Sequence, residues 1–112
     1  EDVEETFRAL LIALRPIRLS WLHVIRRHAE HLDNLALARE HHDGALIAND
    51  SYDGPSADAA IASGKCDSVA FGRHFLATPD LVARFSAGDQ PERFDHRTLY
   101  TEGPAGYPEP FC

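Results

Sequence analysis

Residues 45–71, ALIANDSYDGPSADAAIASGKCDSVAF, carry the pattern that decides the fold class. Ala45 to Ala48 is a short apolar run and reads as a buried strand. Asn49-Asp50-Ser51-Tyr52-Asp53-Gly54-Pro55 is dense in residues that bond their own backbone or accept unusual dihedrals, so it predicts a turn. Ser56 is placed to cap a helix running to Ser63, and Gly64 suits the position just past its end. Asp67 to Phe71 is a further strand. Two short apolar strands separated by a helix cannot close a hairpin; they predict parallel neighbours joined by a crossover.

The same unit recurs on both sides. Asp2 followed by Glu5 has the spacing of a capped helix start. Phe7, Leu10, Leu11 and Leu14 then fall on one helical face, and Pro16 ends the run. Leu19 to Ile25, with a Trp and β-branched residues, predicts a buried strand; Leu32 to Glu40 predicts the next helix, with Gly44 beyond its end. Thr78-Pro79-Asp80 offers a capping hydroxyl, a proline at the first helical position and an acid in the first turn. That helix should run to about Ala87 and stop at Gly88. Residues 1–88 therefore read α-β-α-β-α-β-α, an α/β segment with a parallel sheet. Residues 89–112, with Pro91, Gly103, Pro104, Gly106, Pro108 and Pro110, read as an irregular tail.

A chain of 112 residues, 44% apolar and 26% charged, suits a single soluble unit and is too short for two ordinary domains. Eleven Lys and Arg against 18 Asp and Glu give a net charge of −7, which argues against a phosphate-tracking nucleic-acid groove. No apolar run approaches the ~20 residues that span a bilayer, so no membrane partner is expected. The start lacks the basic, apolar and small-residue order of a leader and opens within a helix signal, so the chain reads as part of a longer polypeptide. Cys66 and Cys112 are too few for a disulfide framework, and a reducing, cytoplasmic setting is expected.

Parallel α/β sheets collect ligands at the carboxyl ends of their strands, here His23 to Arg27, Asn49 to Tyr52 and Phe71 to His74. Gly72 permits close backbone approach and Arg73 adds forked donors, a combination that suits a phosphate. From these residues alone, a glycine serving only the bend and an arginine paired with a nearby acid is an equal reading. The other constellations are bland. His28 and His31, three apart, and the adjacent His41-His42 match no zinc signature, so no metal is expected. Arg26-Arg27-His28 reads as a solvated loop, and Cys66 has no activating base in sequence. Glu4-Glu5 and the pair Glu30 and Asp33 read as helix-end and surface acids, and Tyr52, Phe75 and Phe85 as packing residues.

Residues 57–81, ADAAIASGKCDSVAFGRHFLATPDL, resemble the C-terminal segment of the Old Yellow Enzyme family, whose pattern is close to A-x-x-x-I-x-x-G-x-A-D-x-V-A-F-G-R-x-F-I-A-N-P-D-L. Trp21-Leu22-His23-Val24 is similar to the family's Y-L-H-V strand, Gly44-Ala45-Leu46-Ile47 follows in order, and Thr98-Leu99-Tyr100 with Gly106-Tyr107-Pro108 resembles its T-F-Y…G-Y-x-D-Y-P ending. The resemblance covers essentially the whole chain. It implies the C-terminal part of a TIM (β/α)₈ barrel, strands six to eight with their helices, incomplete on its own because a full barrel needs roughly 250 residues. It also implies an FMN-binding oxidoreductase of the ene-reductase type, passing hydride from NAD(P)H through the flavin to the activated C=C of an enone. Under that resemblance Ala70, Phe71, Gly72 and Arg73 lie on the flavin-phosphate side of the eighth strand, and Tyr100 lines the substrate pocket. Cys66 stands where the family often has Ala, which implies a buried, inert thiol.

The sequence departs from the family where Asp50 and Ser51 replace a Gly-Gly or Gly-small pair after the seventh strand. Ser51 keeps a hydroxyl and an N–H for the phosphate, whereas Asp50 adds a like charge and restricts the backbone. The family's substrate-binding His and Asn (or His-His) pair and its proton-donating Tyr sit at the fourth strand, and its flavin-facing Arg at the fifth; no segment here matches either. Arg18-Leu19-Ser20 resembles the Arg motif, but the better register leaves Arg18 in the loop before the sixth strand. Three strands with helices on one side leave an apolar barrel-facing surface, which should seek the rest of the barrel or a second copy. The alternative is a non-catalytic truncated barrel that associates with a partner or with itself.

Overall fold

Asp2 opens the first helix, its carboxylate accepting the Glu5 N–H at 3.1 Å. The computed structural model describes residues 2–26 and 32–98, in two compact units, Glu1–Ala70 and Phe71–Cys112. In the first unit, helix α1 (Val3–Leu14) and a 3-10 turn (Arg15–Ile17) lead to strand β1 (Trp21–Ile25). Helix α2 (Asn34–His41), strand β2 (Ala45–Asn49), helix α3 (Gly54–Ala62) and strand β3 (Ser68–Ala70) follow. The strands pair in chain order β1-β2-β3, all parallel. Consecutive, same-direction pairing without a reversal fits the winding of a barrel, and one half of a doubly wound sheet shares it.

Only the central strand is buried as the sequence predicts. Leu46 and Ala48 of β2 are fully buried, and Leu35, Leu37 and Ala38 of α2 and Ala57 and Ala60 of α3 complete that core. The expectation of a buried strand over Leu19–Ile25 fails: β1 starts at Trp21 and buries Val24, while Trp21 and Ile25 are 57% and 64% exposed. β1 is the sheet edge, with β2 on one side alone among the described residues. Of the apolar face predicted on α1, Leu11 is buried and Leu10 exposed. An open apolar hollow of about 520 Å³ lies between Phe7, Leu11, Leu14, Leu22 and Val24.

Two helix-start signals read differently in the structure, and one helix is not foreseen. The α3 cap is Asp53, whose carboxylate accepts the Ser56 N–H at 2.8 Å while the Ser56 hydroxyl accepts the Asp53 N–H at 2.9 Å. Ser56 is thus the third helical residue of a reciprocal capping box, and Pro55 fits inside the first turn. These bonds hold the Asp53 carboxyl below its ordinary range. In the second unit a short helix α4 (Arg73–Ala77), absent from the sequence reading, precedes α5 (Leu81–Ala87). Thr78 does not cap: its buried hydroxyl accepts the Glu92 N–H at 2.7 Å. Arg84 ties this unit together, bonding Asp80 at 3.1 Å and Glu92 at 2.8 Å. Gly64 and Gly88, at φ 78° and 80°, end their helices in the left-handed conformation, as expected.

β3 is shorter than the predicted Asp67–Phe71 at both ends, yet Asp67, just before it, bonds the ladder through backbone and side chain alike. Its N–H donates to the Leu46 carbonyl at 2.9 Å, and its carboxylate accepts the Leu46 N–H at 2.8 Å and Arg39 at 3.1 Å. The Leu46 N–H first, then Arg39, hold the Asp67 carboxyl below its ordinary value. A depressed carboxyl contributes stability above its unfolded pKa of about 3.9 and loses it as pH falls through the folded value. Asp67→Ala should therefore lower the thermal midpoint at pH 7, with the difference from the native chain shrinking, though not to zero, as pH falls through the folded value because the Leu46 N–H stays unmet in the variant; a constant difference down to pH 2 would refute this assignment. At Gly44 an added Cβ would meet His42 Nε2 and the Ser20 carbonyl at 2.9 Å and the Leu19 carbonyl at 3.0 Å. Two of these are backbone, so Gly44→Ala should cost about 1–3 kcal/mol in denaturant unfolding.

Candidate functional site

The register lines up the strand ends. Ile25 pairs with Asn49, and Asn49 with Ala70, so β1, β2 and β3 finish in one row. The segments that follow are the three the sequence marks as ligand-facing.

After β2 the chain turns through two non-glycine residues with positive φ, Asp50 at 84° and Ser51 at 58°. Left-handed backbone costs an L residue roughly 1 kcal/mol or more, so something must hold these two there. The Asn49 side-chain oxygen accepts the Asp50 N–H at 2.7 Å, and the Ser51 hydroxyl donates to the Asp50 carboxylate at 3.2 Å. Arg26, just past β1, reaches the same loop from outside it. Its N–H donates to the Asn49 carbonyl at 2.9 Å, its Nη2 to the Ser51 carbonyl at 2.7 Å, and its guanidinium lies 3.9 Å from the centre of the Tyr52 ring. Arg26 Nε is buried and has no hydrogen-bond partner among the described residues.

Arg26 is therefore not the solvated-loop residue of the sequence reading. It was missed because its partners Asn49, Ser51 and Tyr52 lie about 25 residues away. Tyr52 packs as predicted, 6% exposed, and burial pushes its phenol above the ordinary value despite the opposing Arg26 charge. Asn34, buried and on α2, donates to the Ile25 carbonyl at 2.8 Å and fixes the end of β1 from the helix side.

In the second unit, Gly72 precedes α4 at φ −97°, a backbone open to any residue, and Arg73 is the first helical residue. The Arg73 guanidinium carbon is 5.8 Å from the Phe94 ring centre. Phe71 packs against Phe85 at 5.2 Å between ring centres, so its side chain is structural and its backbone is what remains for a ligand. His74 meets Phe94 edge-on at 5.2 Å, with its Nδ1 buried and unpartnered among the described residues. Phe85 packs as expected, whereas Phe75 is 41% exposed and does not. Tyr100, the expected substrate-lining residue, lies outside the described residues, as do His28, His31, Glu30, Gly106, Tyr107 and Cys112.

Other groups are occupied elsewhere. His41 meets Arg8 at 3.3 Å and His42 the Ala45 carbonyl at 3.1 Å. Among the described residues no three His, Cys, Asp or Glu side chains converge, and no helix is long and apolar enough to cross a membrane. Cys66 is 2% exposed, and burial pushes its thiol up, away from reactive thiolate. Arg18 lies between the 3-10 turn and β1, as the chosen register requires.

The old yellow enzyme from Trypanosoma cruzi superposes on 93% of this chain with a TM-score of 0.84 and 34% identity. In sequence, 70 residues are 46% identical to a Leishmania infantum protein described as a probable flavin mononucleotide-dependent alkene reductase, covering 62% of this chain. The chain belongs to the Old Yellow Enzyme family. Morphinone reductase, at 30% identity and TM-score 0.82 over 96% of the chain, is a further family structure of the same fold. No family model matches the chain. The chain spans 19% of the Leishmania protein and 28% and 30% of the two solved chains. The three-stranded parallel sheet and its helices are accordingly part of an Old Yellow Enzyme (β/α)₈ barrel.

Proposed function

We propose that this chain supplies the flavin-phosphate side of an FMN-dependent ene-reductase, with β1, β2 and β3 as the sixth, seventh and eighth barrel strands. The observation that carries the reading is the row of strand ends Ile25, Asn49 and Ala70, from which the loops named by the family pattern depart. Barrel phosphate sites form after strands seven and eight. The residues fit such a group in two respects. Asp50 and Ser51 hold the left-handed backbone that the family's glycines would allow, and Arg73 offers the forked donors that suit a phosphate.

In this reading Ser51, Gly72 and Arg73 hold the phosphate, Ala70 and Phe71 contribute backbone, and Asp50 is a local electrostatic penalty. Bound FMN would supply the hydride chemistry, taken from NAD(P)H and delivered to a small activated alkene such as an enone. By the family pattern, Tyr100 would border that substrate. The groups that polarise and protonate the alkene belong to the fourth and fifth strands of the whole enzyme. The exposed Trp21 and Leu10 and the apolar hollow beside them lie, in this reading, against the rest of the barrel.

Titration of the full chain with FMN, followed by flavin fluorescence, tests this directly. Arg73→Ala should weaken FMN about tenfold or more while changing riboflavin, which lacks the phosphate, far less. Asp50→Gly should tighten FMN by removing a like charge. Equal losses for the two flavins, or tightening of neither, would refute the phosphate assignment.

A further inference from the structure

We infer that Arg26 is a positioning residue for the phosphate-facing loop, the strap that lets Asp50 and Ser51 stand where the family pattern has glycine. The inference rests on the cofactor reading above only for its second half, the effect on FMN. A loop with two non-glycine residues at φ 84° and 58° needs a force that outweighs their backbone cost. Arg26 supplies it from the end of β1: its backbone N–H on the Asn49 carbonyl at 2.9 Å and its Nη2 on the Ser51 carbonyl at 2.7 Å grip the loop on both sides of Asp50.

The planar guanidinium stacks 3.9 Å over Tyr52, which is itself 6% exposed, so the strap is anchored in the core instead of waving in solvent. Two electrostatic consequences follow. Because the peptide is planar and trans, pinning the Ser51 carbonyl to Arg26 turns the Tyr52 N–H the opposite way. The guanidinium also brings its positive charge to the carbonyl of Ser51, the residue after Asp50, and so to the loop that would face an anionic ligand. The Nε–H of the same fork, without a partner among the described residues, is a further buried donor at this loop.

The test is a mutant cycle in the full chain: Arg26→Gln in the native loop and in a loop carrying Asp50→Gly with Ser51→Gly. Thermal unfolding without ligand reads the strap. Arg26→Gln should lower the midpoint by about 4 °C or more in the native loop and by less than half as much in the glycine loop. FMN and riboflavin titrations read the charge. Arg26→Gln should weaken FMN about tenfold in the native loop, less than threefold in the glycine loop, and riboflavin little in either.

Equal midpoint losses in both loops would overturn the strap and reduce Arg26 to a packing partner of Tyr52. Coupled midpoints with FMN and riboflavin weakened alike would overturn the electrostatic half. Coupled midpoints with FMN bound by no variant would uphold the strap and refute the cofactor reading instead. Should Arg26→Gln fail to fold, Arg26→Lys carries the thermal half of the cycle, losing the planar fork but retaining the charge, so its FMN affinity should stay within threefold of the native chain's.

Discussion

The two-point clasp between Leu46 and Asp67 is the constraint from which the rest of the first unit follows. Leu46 is fully buried at the start of the central strand, where an unmet N–H costs about 1–3 kcal/mol. Its N–H is met by a carboxylate and its carbonyl by the N–H of the same residue. That pairing sets the register of β3 against β2, so that Asn49 and Ala70 finish side by side. Arg39 of α2 closes on the same carboxylate at 3.1 Å and fixes the helix to the sheet through a group that also belongs to the ladder. The level at which the strands end is thus settled at the opposite end of the sheet from the loops that follow.

Those loops show what a fold tolerates once its strand ends are level. Glycine after β2 would make the left-handed turn at little cost. Asp50 and Ser51 make a left-handed turn with help from Asn49 beside them and from Arg26, which comes from the end of β1 and lies over the Tyr52 ring.

What could be read in the sequence was mostly local. The Asp2 cap, the end signals at Gly64 and Gly88 and the alternation of strands and helices depend on neighbours within a few residues, and they hold. The α3 cap was misassigned because Asp53 and Ser56 are both good capping residues, and only the reciprocal bonds decide between them. Thr78 looks like a cap until the Glu92 N–H, 14 residues on, takes its hydroxyl. The short α4 was hidden because Gly72-Arg73 reads as a ligand loop. Arg26 was discounted because a basic pair beside a histidine looks solvated, and nothing local announces that Tyr52 and the Ser51 carbonyl will come to meet it. The apolar composition of β1 suggested burial, yet burial of a strand depends on what lies on both its flanks.

That edge position has an optical consequence. Trp21, the chain's one tryptophan, lies on β1 with more than half its surface open. An indole already in contact with water changes its emission little when the sheet comes apart, so tryptophan emission is a poor gauge of this core. It is instead a sensitive gauge of anything that covers the β1 edge, because such a cover would dry the ring and move its emission to shorter wavelength.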